Sequence, residues 1–270
     1  MTDGRHSVSL TSPLAAAGRA DEVVQRVSQA IQLGLFMDGE QLPPETEFAA
    51  QLGVSAMTLR EALATLRQQG LVEPRRGQTG GTFVRRPTAP PISVLRERLR
   101  RMTTSTLRDL IDEQFAVSGA AAKLAAARAS GTSVRRLHML VHQLTGAASL
   151  GSSIRADSRF HIEVAIASQS ERLTRLEVGL QTQLGELLWL PPDTEEPDSD
   201  GLTASTGAPA GTRLVAEAVE LLDPAGASAE HAAITDAIAA EDGDLARTLT
   251  ERHVLGNLRR LTALRLAMAQ

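Results

Sequence analysis

Residues 42–84 read LPPETEFAAQLGVSAMTLREALATLRQQGLVEPRRGQTGGTFV, and this stretch decides the fold of the amino-terminal part of the chain. The two prolines suit the start of a helix, and the acidic residues after them complement the positive end of its dipole. Gly53 can adopt the left-handed conformation that ends this helix, and Ser55 can cap the next one. Gly70 ends the second helix, and short stretches on either side of an Arg- and Gly-rich tip can pair as strands. This order predicts a winged helix-turn-helix, a fold that inserts a helix into the DNA major groove.

The second helix of this stretch has an apolar face and an open face. Its apolar residues fall at helical spacing and predict the side that packs on a core. They are Leu59, Ala62, Leu63 and Leu66. Thr58 and Arg60 lie on the open face near the amino terminus, where a recognition helix meets base edges. The candidate DNA-contacting residues are Ser55, Thr58 and Arg60 on the helix and Arg75, Arg76 and Gly77 in the hairpin tip.

Positive charge is concentrated in and after this stretch. Residues 60–101 contain ten arginines and three glutamates, a local charge of 10 − 3 = +7, whereas the whole chain has a formal net charge of −4. A basic segment of this kind is typical of contact with nucleic acid phosphates. The alternative interpretation is a solvated charged face. The position of the arginines on and just after a helix-turn-helix favours double-stranded DNA as the partner.

The composition excludes several classes of protein. The chain has no cysteine, so disulfides, thiolate metal sites and cysteine nucleophiles are excluded. No apolar run is long enough to span a bilayer, and the first residues lack the apolar segment of a secretory signal. We therefore predict a cytoplasmic protein. Aromatic residues make up only 2% of the chain, so its cores must be rich in Leu, Ala and Val, as helix bundles are.

The pattern along the 270 residues predicts a mainly α protein with two domains. We expect a disordered tail at 1–19, the winged helix-turn-helix domain at 20–86, a linker and linking helix at 87–103, and a helical domain at 104–270. Apolar periodicity predicts helices near 20–35, 92–101, 104–129, 133–149, 152–168, 171–189, 212–222, 228–241 and 243–267. Residues 191–211 are rich in Pro, Gly, Ser, Thr and acidic residues, which predicts a mobile loop.

Four residues of the helical domain are candidate metal ligands. Asp157 and His161 stand four residues apart on one predicted helix, so both side chains lie on the same face. His231 and His253 add two imidazoles from later helices. Three imidazoles and a carboxylate suit zinc, nickel, manganese or iron. By itself, however, an Asp–His pair at this spacing is more often a surface hydrogen bond, and spacing alone does not bring the four residues together.

The winged helix-turn-helix stretch resembles the amino-terminal domain of the GntR family of bacterial transcription regulators. The matching residues are Leu42, Pro43, Glu45, Phe48, Ala49, Leu52, Gly53, Val54, Ser55, Arg60, Glu61, Ala62, Leu63, Leu66, Gly70, Leu71, Val72, Gly81, Thr82, Phe83 and Val84. The family usually carries an arginine after its Val-Ser pair, whereas this chain has Ala56. The resemblance therefore implies that one DNA contact is missing and that Arg60 and the wing arginines carry more of the binding.

The second domain resembles the FCD type, the all-helical ligand-sensing domain of the FadR subfamily of GntR regulators. The shared features are a D...H pair, an EH..i motif and a later histidine, which here are Asp157 with His161, Glu230 with His231, and His253. The resemblance implies an antiparallel helix bundle in which Asp157 and the three histidines hold a divalent metal, with zinc as the first candidate. Nickel, manganese and iron remain alternatives.

Two positions depart from the FCD pattern. Such domains often carry an Arg and a Glu ahead of an Ala-rich run, and the arginine commonly helps to bind an effector carboxylate. Here these positions are Gln114 and Ser118. The resemblance therefore implies either a less acidic effector or a clamp from another arginine, for which Arg155, Arg159 and Arg213 are the candidates.

Together these features predict a metabolite-responsive transcription regulator, most often a repressor, rather than an enzyme. A homodimer would place two recognition helices in successive major grooves of a pseudo-palindromic operator. One alternative is a regulator for which the metal itself is the signal. A metalloenzyme is the other alternative, although a DNA-reading domain has no evident use in catalysis, and we predict no catalytic residues.

Overall fold

The computed structural model describes residues 19–36, 38–76, 80–85, 91–191 and 224–268. These residues divide into two compact units, the first within residues 1–89 and the second within 90–270. Several expectations fall outside the described residues: the tail at 1–18, Gly77, the linker residues 86–90, nearly all of the loop at 191–211, and the helix at 212–222 with Arg213.

The described residues of the first unit form three helices and a two-stranded hairpin. Its elements are α1 (Arg19–Gln32), α2 (Glu45–Leu52), α3 (Ala56–Gln68), β1 (Val72–Arg75) and β2 (Gly81–Val84). The strands pair antiparallel, with Val72 opposite Val84 and Arg75 opposite Gly81. The apolar faces of the three helices meet in one core with the base of the hairpin. This is the predicted winged helix-turn-helix.

Local chain chemistry sets the ends of these helices. Gly53 has a φ of 67° and ends α2 in the left-handed conformation, and the Ser55 Oγ accepts a hydrogen bond from the Thr58 backbone N–H at 3.1 Å to cap α3. The predicted helix at 20–35 is too long. It ends at Gln32, because Gly34 has a φ of 71° and turns the chain, so that Leu35 packs against the core from the turn.

The second unit is a bundle of helices. Its elements are α4 (Ile92–Arg101), α5 (Thr104–Arg128), α6 (Gly131–Thr145), α7 (Leu150–Ala167), α8 (Glu171–Leu188), α9 (Pro224–Ala239) and α10 (Gly243–Ala267). The long helices α5 and α10 pack along each other, α7 contacts α5, α6 and α8, and α9 contacts α6 and α10. One Leu-rich and one Ala-rich core fill the bundle. The prediction of a mainly α fold is confirmed.

One boundary in this unit changes the position of a candidate ligand. The sequence predicted that α9 begins near residue 228, which would put His231 in the first turn. In the described residues α9 already extends from Pro224, so His231 lies in the middle of the helix, where its ring is fully buried. None of the described helices combines the length and the apolar character needed to cross a bilayer.

Candidate DNA interface and metal centre

The recognition helix α3 buries its apolar face and exposes the side chains that can meet DNA. Leu59, Ala62, Leu63 and Leu66 lie in the core, as predicted. The Arg60 side chain is 63% exposed, and its Nε lies 2.7 Å from the Glu45 Oε2 of α2. An exposed ion pair of this kind contributes only about 0–1 kcal/mol. Arg60 can therefore exchange Glu45 for a phosphate or a base edge at little cost.

The other two helix candidates build the start of α3. The Ser55 hydroxyl caps the helix, and it also lies 2.9 Å from the Thr58 hydroxyl. The two hydroxyl groups are thus in contact at the amino terminus of α3, the end of the helix that would enter a major groove. Met57, between them, is 67% exposed. Sequence reasoning missed this residue, although its place next to Thr58 at the helix start was a usable signal. An exposed apolar side chain there can contact a thymine methyl group.

The wing arginines are held differently from each other. The Arg75 guanidinium lies 4.4 Å from the centre of the Phe83 ring and 2.9 Å from the Glu73 carboxylate. Arg76 is exposed at the end of the described strand. At the other side of the hairpin, the Gln41 Nε2 donates to the Gly80 carbonyl at 3.2 Å. These contacts join the two strands of the hairpin to each other and to the segment that precedes α2.

The basic segment predicted from the sequence belongs to both units. Arg96, Arg98, Arg100 and Arg101 are part of α4 in the second unit. The Arg98 guanidinium donates to the Gln183 carbonyl at 2.6 Å and lies 3.5 Å from the Glu186 carboxylate, both on α8. Arg100 and Arg101 pair with Glu97 on their own helix. Part of the local charge of +7 therefore supports the bundle, and the count alone overstated the surface available for DNA.

The four candidate metal ligands come together inside the bundle. Asp157 and His161 lie on α7, His231 on α9 and His253 on α10, and one ligand atom from each lies within 4.8 Å of the others. The side chains are buried, with 0–6% of each residue exposed. The His231 Nε2 lies 3.5 Å from the Asp157 Oδ1. The tertiary fold thus forms one N₃O cluster from three helices.

The free atoms of this cluster point to a metal ion. Within the described part of the chain, five buried atoms of the cluster have no hydrogen-bond partner: Asp157 Oδ2, His161 Nε2, both ring nitrogens of His231, and His253 Nε2. Buried polar atoms normally have a partner, because leaving one unpaired costs about 1–3 kcal/mol. A divalent cation in the centre would serve as that partner for all four residues. The donor set and its geometry fit such an ion.

Neighbouring side chains orient the ligands. The His253 Nδ1 lies 2.6 Å from the Glu230 Oε2, which leaves its Nε2 to face the centre. A carboxylate on the far nitrogen of a metal-binding histidine fixes the ring and makes it a stronger ligand. The Phe160 ring stacks on His231 with the centroids 3.9 Å apart. The sequence motif placed Glu230 beside His231, but its contact is with His253 on another helix.

Burial also sets the protonation of these ligands. It lowers the pKa of His161 and His231 well below the usual value, and the charge of His253 lowers both further. The two rings are therefore neutral at pH 7, which is the form that binds a metal. Burial raises the pKa of Asp157 to about 6, against a smaller opposing effect of His253. Asp157 is still mainly ionised at neutral pH and can act as a ligand.

A small cavity adjoins the cluster. Its volume is about 20 Å³, and its lining is Asp157, Leu188, Trp189, Ala227, His253, Asn257 and Arg260. The Trp189 side chain makes a hydrogen bond with Asp157, and Arg260 is only 3% exposed. Burial lowers the pKa of Arg260 to about 9, while the charge of Asp157 opposes this effect. The guanidinium is therefore a buried cation at neutral pH.

The expected clamp positions on α5 are occupied by neutral residues beside a buried acid. The Ser118 hydroxyl donates to the Glu177 Oε2 at 2.7 Å, and the Gln181 Nε2 donates to the Glu177 Oε1 at 2.9 Å. Gln114 is fully buried, and its amide makes no hydrogen bond to the described residues. Burial raises the pKa of Glu177, which the two hydrogen bonds only partly offset. An acidic ligand would meet another carboxyl group here.

Of the remaining effector candidates, Arg155 and Arg159 do not line the cavity, and Arg213 lies outside the described residues. Arg155 and Arg159 are each two residues before Asp157 or His161, and two helical steps of 100° turn their side chains away from the cluster. Arg159 instead acts with Arg136 of α6 to lower the pKa of Glu163, against the larger opposing effect of burial. The helix period alone could have shown that these two arginines face away.

Comparisons with known proteins match both units. Residues 19–84 match the description "Bacterial regulatory proteins, gntR family", and residues 109–205 match "FCD domain". The "Putative HTH-type transcriptional regulator RmpR" of Mycobacterium gastri is 39% identical over 240 residues, which are 89% of this chain and 79% of that protein. The chain belongs to the GntR family.

The chain is also similar to other proteins over smaller shares or at lower identity. The "Putative L-lactate dehydrogenase operon regulatory protein" of Escherichia coli K12 is 33% identical over 155 residues, which are 56% of this chain and 59% of that protein. The solved structure of E. coli McbR/YncC is 16% identical, with a TM-score of 0.46 over 92% of this chain and 98% of that one. As a GntR protein with an FCD domain, the chain is a DNA-binding transcription regulator and not an enzyme. The metalloenzyme alternative was wrong.

Sequence reasoning missed two more residues of this GntR protein's cavity. Asn257 and Arg260 lie four and seven residues after His253 on α10, and they share its face of the helix. That spacing was a usable signal once His253 was chosen as a ligand. Nothing in the local sequence around Trp189 predicted its hydrogen bond to Asp157.

Proposed function

We propose that this regulator represses its operator as a homodimer and that a small metabolite, bound beside a divalent metal in the helical domain, controls operator affinity. Asp157, His161, His231 and His253 would hold the metal, and zinc is the first candidate. The single observation that carries the proposal is the set of buried, unpartnered ligand atoms within 4.8 Å of one another. The FCD match adds support, since such domains bind small molecules.

In the proposed function the two domains have different roles. Residues 20–86 would read DNA through Ser55, Thr58, Arg60 and the wing, and residues 104–270 would bind metal and effector and form the dimer. The residues at 87–103 would connect the two. An effector can change operator affinity only if it binds one arrangement of the dimer better than the other. The cavity beside Asp157 supports an effector that reaches the metal centre.

The first test is metal content and its effect on DNA binding. Protein purified without a histidine tag should contain about one zinc, nickel, manganese or iron ion per chain, and chelation should lower its thermal stability. Absence of metal, together with no stabilisation by added zinc, nickel, manganese or iron, would rule out the metal centre. Operator affinity should then be measured at fixed salt with the metal-loaded and the metal-free protein, because salt alone changes it strongly.

The same titration distinguishes the proposed function from the alternative in which the metal itself is the signal. In that alternative operator affinity follows the free zinc concentration, and no small molecule is needed. In the proposed function the metal is already bound at low zinc concentrations, and operator affinity changes only when a metabolite is added. Repression is tested by operator-fused reporter expression with and without the regulator.

A further inference from the structure

Met57 is an exposed apolar side chain on the open face of the recognition helix. It is 67% exposed, and among the described residues of the first unit it is the only large hydrophobic residue that is exposed. Two helical steps of about 100° separate it from Leu59, which is fully buried, so Met57 points away from the core. Arg60, three residues later, lies on the same open face. DNA in contact with Arg60 therefore lies beside Met57 as well.

The first turn of α3 has no charged side chain. It consists of Ala56, Met57, Thr58 and Leu59. The Ser55 hydroxyl before it accepts a hydrogen bond from the Thr58 backbone N–H at 3.1 Å and lies 2.9 Å from the Thr58 hydroxyl. Guanine is read most often by Arg or Lys, which donate to its O6 and N7. This turn contains neither residue, so it lacks the side chains that usually select guanine.

An exposed apolar side chain at this place has one matching group in the major groove, the 5-methyl group of thymine. The methionine side chain is flexible and polarisable, so it can adapt to the position of that methyl group. A polar base edge covered by Met57 would instead lose its hydration without gaining a hydrogen bond. The side chain therefore favours thymine over a base that presents only polar atoms.

We propose that Met57 selects thymine, through its 5-methyl group, at the base pair that meets the first turn of α3. The inference rests on the proposed role of α3 in reading DNA and adds a base preference to it. Ala56 is half-buried and short, so its side chain does not keep the base edges away from the helix. The operator should then contain an A·T pair at this position, next to the position that Arg60 reads.

The test starts from a randomised duplex library without modified bases, so that thymine is the only source of a 5-methyl group. The full-length protein selects its sites, and the sequence bound most tightly becomes the probe. Its thymines are replaced one at a time by deoxyuridine, which removes only the methyl group. We expect one such replacement beside α3 to weaken binding about fourfold at fixed salt, the effect of uncovering one methyl group. In Met57→Ala the same replacement should change affinity by less than about twofold, because the partner of the methyl group is gone.

Further variants separate the apolar contact from other effects. Met57→Leu keeps an apolar side chain and should retain the effect of the methyl group, whereas Met57→Gln keeps the length of the side chain and should lose that effect. Met139→Ala is the matched control, because Met139 is an exposed methionine of the helical unit. It should bind both probes as the unchanged protein does. Thermal unfolding verifies that each variant is folded, which we expect because the Met57 side chain is exposed.

Two results would overturn the inference. One is a selected sequence in which no thymine is sensitive to replacement by deoxyuridine. The other is a Met57→Ala variant that is as sensitive to the replacement as the unchanged protein.

Failure of the proposed DNA-reading role has a different outcome. If Arg60→Ala weakens binding of the probe while Met57→Ala leaves the effect of the methyl group intact, only the base preference is wrong. If both variants bind every probe as the unchanged protein does, α3 is not the reading helix, and the proposed role is wrong together with the preference.

Discussion

The two units of this regulator hold their functional side chains in opposite environments. In the DNA-reading unit, Arg60 is 63% exposed and its ion pair with Glu45 is open to water. In the helical unit, His231 is fully buried, and its ring nitrogens have no hydrogen-bond partner among the described residues. An exposed charge can exchange one partner for another at small cost, whereas a buried group without a partner destabilises the fold.

This difference has a consequence for mutations. Substitutions in the DNA-reading unit should change binding while stability stays nearly constant. Substitutions in the metal centre should change ligand affinity and stability together, because metal binding contributes to folding. Four experiments test this difference between the two units, and the expected effects decrease from the first to the last.

The largest effect is expected from His231→Ala. Even residues that only orient a metal ligand alter metal affinity by about ten- to a hundredfold. Loss of a ligand should therefore reduce zinc affinity by more than about a hundredfold, and zinc should no longer raise the melting temperature. The measurement is zinc titration followed by thermal unfolding. His138→Ala is the control, since His138 is exposed on α6. Equal zinc affinity in both variants would contradict the assignment of His231 as a ligand.

The second effect is expected from Arg60→Ala. Loss of a base-reading arginine should weaken operator binding by about 1–3 kcal/mol. Thermal stability should change little, because the exposed pair with Glu45 contributes about 0–1 kcal/mol. Operator titration and thermal unfolding at the same salt concentration provide the comparison. Glu45→Gln frees Arg60 without removing it and should keep operator affinity. The recognition face would be wrongly assigned if Arg60→Ala bound the operator as tightly as Glu45→Gln.

A third effect is expected in the wing. Arg75→Ala combined with Arg76→Ala should lower affinity for all DNA sequences and reduce the slope of log affinity against log salt by about one unit for each lost phosphate contact. The slope is measured over a range of salt concentrations, once with operator DNA and once with random DNA. An unchanged slope would mean that neither arginine contacts DNA. The contact of Arg75 with Phe83 would then have only a structural role.

The smallest effect is expected from Glu177→Gln, and it depends on pH. Burial raises the pKa of Glu177, so the folded protein binds this proton more tightly than the unfolded chain does. Stability is therefore highest below the ordinary glutamate pKa and decreases as pH rises through the higher folded value. Because the glutamine side chain does not ionise, the variant does not lose stability in this way. It should therefore be more stable than the unchanged protein at neutral pH, and the difference should vanish near pH 4. The gain is about 1.4 kcal/mol for each unit of pKa shift.

Denaturant unfolding at a series of pH values measures this difference. Glu171→Gln is the matched control, because Glu171 is an exposed glutamate on the same helix. If the variant and the unchanged protein were equally stable at every pH, ionisation of the buried Glu177 carboxyl would not destabilise the fold. Restoring an acid at Ser118 should be attempted only with Glu177→Gln, because Ser118 contacts the Glu177 carboxylate directly.

The local chemistry of the chain was enough for much of the fold. Caps such as Ser55, turns such as Gly53 and Gly70, and apolar periodicity act over a few residues, so the helix-turn-helix, the hairpin and most bundle helices could be predicted. An error occurred where a single residue changed a helix end, at Gly34 in the first unit. Helix ends depend on such residues more than on periodicity.

The sequence by itself also determined that Asp157 and His161 share one face of a helix, since that follows from a spacing of four. It determined the family through the residues at 42–84. Only the tertiary structure decided that His231 and His253 reach the same point, that Glu230 orients His253, and that Arg260 is buried beside them. The physical reason is that these contacts join helices distant in the chain, whose packing depends on all the apolar faces at once rather than on any local pattern.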